Sequence, residues 1–158
     1  MTDEKKQEYT RRITQANASK LVVILYELFF DFSDEALEAL AKKDIPTFSM
    51  QLDKAQEALN QLIGSLQEEN DLADSIYRVY LYVSARMGLI RANHDPELLS
   101  DPLRLMKSLF ETYSKDSEND TSGPVMDNSQ KVYAGLTYGK EALTESMDEG
   151  AGNRGFFA

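Results

Sequence analysis

Apolar residues along the first 115 positions recur three and four apart, the period of an α-helix, and nowhere alternate in the manner of a strand. The pattern is cleanest in the middle, where Phe48, Leu52, Ala55, Leu59, Leu62 and Leu66 alternate spacings of four and three. Asp44 can cap that helix and Pro46 is tolerated in its first turn, with an end expected near Asn70. An earlier helix can start after Asn17, another capping residue, and run to about Lys42, where Lys42 and Lys43 complement the helix dipole. A third fits Asp71 to Asn93, with Ile76, Val79, Tyr80, Val83, Met87 and Ile90 on one face. Asp95-Pro96 begins a turn, and Asp101-Pro102 starts or kinks a fourth helix whose stripe is Leu103, Met106, Phe110 and Tyr113. Four segments of about 20 residues, each ~30 Å long, are joined by short turns that favour antiparallel neighbours. The expected fold is all-α: an antiparallel up-down four-helix bundle over residues 18–115.

Winding these segments at 3.6 residues per turn reveals more apolar surface than a bundle needs. The first helix has a core face of Leu21, Ile24, Leu25, Leu28, Phe32 and Ala39. Roughly opposite, Val23, Phe30 and Leu37 repeat every seven residues, with Tyr26 beside them. The fourth helix has a second line, Leu98, Leu105 and Leu109, and the third carries Tyr82 and Leu89 off its core stripe. Such lines must be covered by the chain's own ends, by another copy or by a partner.

The ends differ from the middle. Residues 1–17 read as a flexible N-terminal arm. After Lys115 the stretch from Asp116 to Pro124 has no apolar side chain and reads as a mobile linker, opening an acidic, glycine-containing extension over 116–158. Within it Val132 to Met147 could form a weak helix, since Gly135 and Gly139 each cost about 1 kcal/mol there relative to Ala.

Composition narrows the function. The formal net charge is −10, from 17 Lys and Arg against 27 Asp and Glu, which repels nucleic acid and anionic membranes. The longest apolar stretch, Leu21 to Phe32, is interrupted by Glu27 and Asp31 and is too short to span a bilayer. Met1 to Glu8 lacks the apolar run of a secretion signal, so a cytoplasmic location is expected, with neither nucleic acid nor membrane insertion. No cysteine is present, which excludes thiol catalysis and cysteine-based zinc sites. His94, the single histidine, stands before Asp95-Pro96 at a helix end, the place of a solvated turn residue and not of a mid-helix phosphoacceptor. One histidine cannot supply the paired Glu-x-x-His motifs of a di-iron bundle. Glu68, Glu69 and Asp71 are better read as a solvated, capping cluster than as a metal site, and no phosphate-cradling glycine loop occurs. No cofactor, no metal and no catalytic residue is expected, which leaves a binding protein.

The order of several short motifs resembles the flagellar secretion chaperone FliS family. The resemblance runs from Tyr9 and Ile13-Thr14 to Leu21, then through Ile24-Leu25-Tyr26-Glu27, similar to the family's first-helix Leu-Tyr-Glu. It continues through Asp44, Lys54-Ala55, Leu59 and Leu62 to Val79-Tyr80-Leu81-Tyr82, similar to its Leu-Tyr-x-Tyr. One departure lies before the first helix, where the family often has Thr-Ala-Ser-Pro and this chain has Gln15-Ala16-Asn17-Ala18, keeping a cap but losing the proline.

The resemblance implies a chaperone that binds the disordered C-terminal segment of flagellin as helices laid in apolar grooves. It would prevent premature polymerisation and deliver its client to the flagellar type III export gate. It further implies that an N-terminal segment, matched here by Tyr9 and Ile13, occupies part of that surface beforehand. The expected partner-contacting set is therefore Tyr9, Ile13, Val23, Tyr26, Phe30, Leu37, Tyr82, Leu89, Leu105 and Leu109, on a monomer or weak homodimer. A second reading stays open: a regulatory or structural bundle using the same surface for another helix, such as an anti-sigma factor or a second copy.

Overall fold

The computed structural model describes residues 1–67 and 69–125. The expectations for Glu68 and for the weak helix over Val132 to Met147 lie outside the described residues. Within them are five α-helices: α1 (Asp3–Gln15), α2 (Ala18–Ala41), α3 (Ile45–Gly64), α4 (Asp71–Asn93) and α5 (Ser100–Glu118), with a 3₁₀ turn over Pro96–Leu99.

Side-chain oxygens start three of the helices by accepting orphan backbone amides, and two of them, Asn17 and Asp44, are the anticipated caps. Asn17 accepts from Lys20 at 2.9 Å, Asp44 from Thr47 at 3.2 Å and Asn70 from Ala73 at 2.8 Å. The Asp44 carboxyl is held below the usual carboxylate range by its hydrogen bonds from Thr47. Lys43 and His94 both adopt left-handed backbone (φ 58° and 56°), which ends the preceding helix. His94 donates its amide to Ile90 at 2.8 Å, and its ring meets Phe48 edge-on at 5.5 Å. Its place in the molecule is that of a helix terminator.

α2 packs on α3, α3 on α4, α4 on α5, and α5 returns to α2, closing a four-helix ring. Paired positions run in opposite directions along neighbours, Arg91 with Asp53 and Ser84 with Gln56, then Tyr82 with Asp101 and Arg86 with the Leu98 carbonyl. These pairs make α3–α4 and α4–α5 antiparallel. The α2–α3 seam is mainly apolar: Leu52, Ala55, Ala58, Leu59 and Leu62 of α3 are fully buried. Ala55 and Ala58 have no bulk to hold the helices apart. Across the diagonal of the ring, the buried hydroxyls of Tyr26 on α2 and Tyr80 on α4 meet at 2.5 Å. Burial pushes both phenols well above the usual tyrosine range.

Three expectations meet differences. α3 stops at Gly64 and not near Asn70, leaving a connector before α4. The arm over 1–17 is a helix for most of its length, started by Thr2, which accepts from Lys5 at 3.2 Å. Its charged sequence offers only Tyr9 and Ile13 as an apolar pair one turn apart, too few for periodicity to register, and both are buried against α2. The stretch expected to be a mobile linker from Asp116 instead continues α5 to Glu118 and then returns to the α1–α2 corner. Its polar groups find partners there, which a search for apolar burial overlooks.

Candidate functional site

The ten residues singled out from the sequence fall on two faces of the bundle. The first is the α1–α2–α5 side. Tyr9 and Ile13 are buried between α1 and α2, and the Tyr9 hydroxyl donates to Asp31 at 2.5 Å. Burial first and then the bond to Asp31 raise that phenol above its ordinary range. Charge surrounds this small apolar contact. Lys5 pairs with Asp31 at 2.8 Å, the amino group of Met1 with Glu35 at 2.8 Å, and Arg12 with Glu27. The Glu27 carboxylate, hydrogen-bonded to Arg12, raises that guanidinium's pKa further.

Below the end of α1, Val23 is half-buried in a pocket of about 250 Å³ whose walls include Arg12, Lys20 and Ser117. Tyr26 is fully buried, pairing with Tyr80 and packed against the rings of Phe110 and Tyr113. Phe30 is half-buried with its ring edge-on to Phe110 at 5.7 Å, and Leu37 is half-buried against the core. On this side α1 and α5 together cover much of the second apolar line of α2.

The second face belongs to α4 and α5. Tyr82 is 37% exposed and Leu89, seven residues on, is 45% exposed. The Tyr82 hydroxyl donates to Asp101 at 3.1 Å, and the Arg86 guanidinium lies 5.9 Å over its ring. Asp101 is kept below the carboxylate norm by Arg104 first and Tyr82 second. Leu105 and Leu109 follow Asp101 at helical spacing on α5; both are half-buried, and Leu109 packs against the core.

Two further residues escaped the sequence reading. Tyr77 and Leu81 are 44% and 46% exposed and lie four apart on α4, roughly a quarter turn from the Tyr82–Leu89 line. Leu81 was visible in the sequence as an apolar residue off the α4 core stripe, but it stands inside the run Val79-Tyr80-Leu81-Tyr82, where neighbours on opposite faces mask it.

Together these residues offer an exposed apolar strip suited to an amphipathic helix. Among the described residues no three His, Cys, Asp or Glu side chains gather as a metal cage requires, and no helix is long and apolar enough to cross a membrane. The sequence model of the family described as Flagellar protein FliS matches residues 1–119. A search of curated proteins returns no match.

Proposed function

The chain belongs to the flagellar protein FliS family, whose members are flagellar chaperones, and on that premise we propose that it binds the C-terminal segment of flagellin. In this reading the bound segment folds into helices on the bundle surface, is kept from polymerising early and is handed to the export apparatus. The observation that supports it most is the apolar strip of α4, where Leu81, Tyr82 and Leu89 stay exposed although the ring of helices is already closed. Leu105 and Leu109 on α5, half-buried, are further candidate contacts in this reading. Tyr9 and Ile13 of α1 cover a second part of the surface, and a client reaching it either displaces α1 or packs beside it. No catalytic step belongs to this reading.

The test is titration calorimetry of the full chain with the purified C-terminal segment of the host's flagellin. Binding should appear with a gain of helical circular dichroism. Tyr82→Ala should weaken it about thirtyfold, the effect of losing an anchor worth about 2 kcal/mol, with the melting temperature nearly unchanged. Absence of binding, or binding indifferent to Tyr82→Ala and Leu89→Ala in folded variants, would overturn the proposal.

A further inference from the structure

The family match ends at residue 119, and there the chain turns back over the corner where α1 meets α2. We propose that residues 119–125 form a latch on α1: they clamp the two residues about which α1 would swing, so α1 leaves α2 only after this strap lets go.

The hinge is Ala16 and Asn17, extended residues between two helices (φ −74°, ψ 137° and φ −77°, ψ 179°). Both are 2% exposed. The strap grips each of them. The Asn17 side chain caps α2 through its oxygen, while its Nδ2 donates to the carbonyls of Asp120 and Ser122, each at 3.2 Å. The Val125 amide donates to the Ala16 carbonyl at 3.0 Å. In the first turn of α2, Ser19 donates to Asp120 at 2.5 Å. The other oxygen of Asp120 accepts the Ser122 amide at 2.9 Å, curling the strap into a compact Asx turn. Those bonds from Ser122 and Ser19 hold the Asp120 carboxyl down to about 2.

Swinging α1 outward changes the backbone angles at Ala16 or Asn17. That motion displaces the Ala16 carbonyl, the Asn17 side chain or both relative to the strap, whose bonds to the two cannot all be kept. Elsewhere α1 is held by two buried apolar residues, by the Tyr9–Asp31 hydrogen bond and by ion pairs to Glu27, Asp31 and Glu35 of α2. The strap differs from these contacts in acting at the hinge itself, where α1 must turn to leave. It follows both the family-matched segment and the last helix of the bundle.

The test uses the full chain carrying Asp120→Ala together with Val125→Pro, which removes the acceptor for Ser19 and the amide donor to Ala16 but leaves the Asn17 cap of α2. Hydrogen exchange is followed by mass spectrometry in peptides from α1 and from α3. Exchange in α1 should rise at least tenfold while α3 is unchanged, because a short helix released from its packing frays. Unchanged exchange in α1 would overturn the latch. An equal rise in α1 and α3 would also overturn it, since the strap would then support the whole bundle. No client is present, so the outcome is separate from that of the flagellin titration.

Discussion

Helix α2 meets α3 on one side and α1 on another, and the two seams are built from different materials. Against α3 it buries a continuous apolar row, Leu52, Leu59 and Leu62 among it, with alanines that let the backbones approach. Against α1 it buries Tyr9 and Ile13 and surrounds them with charge: Lys5 with Asp31, Arg12 with Glu27, the N-terminus with Glu35. Apolar burial is not screened by salt, whereas ion pairs that keep part of their exposure are screened and contribute modestly. One seam makes a scaffold. The other makes an attachment that can come away while the scaffold stays folded.

The sharpest way to separate the seams is truncation. Leu59→Ala should cost roughly 2–5 kcal/mol of global stability in urea denaturation, because its fully buried site cannot collapse around the void. Ile13→Ala, equally buried, should cost the global transition less than about 1 kcal/mol, since a short helix that detaches on its own does not drag the core with it. Its loss should show instead as fast hydrogen exchange confined to α1. If the two substitutions shift the urea midpoint alike, α1 is part of the core and the contrast fails.

Tyr9→Phe keeps the ring and deletes only the bond to Asp31, so about 1 kcal/mol of α1 docking should disappear, again read by exchange in α1. Salt is a gentler probe. At about 1 M salt, where the screening length is ~3 Å, protection in α1 should fall slightly while α3 keeps its own.

Acid supplies the smallest expected change. Asp120 has a folded pKa of about 2, depressed below an ordinary carboxyl near ~3.9, so its contribution is complete above the ordinary value. That contribution is lost as pH falls toward about 2. Exchange at the Val125 amide, corrected for intrinsic rates, should therefore quicken over that window and not above it.

Much of the scaffold was legible in the sequence. Asn17 and Asp44 announced two helix starts by their side chains, and the apolar stripe of α4 with Asp95-Pro96 after it gave its limits, whereas Asn70, which caps α4, was read only as the end of α3. α1 was not legible, because a pair of apolar residues in a charged stretch carries no period, and its stability comes from docking. The strap was missed for a related reason. Its bonds reach from Asp120 and Ser122 to Asn17, more than a hundred positions earlier, and no local pattern records them. The surplus apolar lines were visible from winding alone, yet winding gives a direction on one helix and not the neighbour that meets it. Hence Tyr26 lies in the interior, Phe30 and Leu37 are half-covered, and Tyr82 and Leu89 face outward.

The hydroxyl pair of Tyr26 and Tyr80 constrains where a client can go. It joins two helices that are diagonal in the ring, and neither phenol has water to fall back on. A ligand that wedged the bundle open would part them and strand the buried Tyr26 hydroxyl, at about 1–3 kcal/mol. A slide of α2 past α4 by even one turn, ~5.4 Å, would do the same. The bond acts as a dowel through the middle of the molecule, fixing register where the surrounding leucines would tolerate slippage. A bundle pinned in this way presents itself as a rigid post: what binds it has to wrap around the outside, and the work of changing shape falls on the guest.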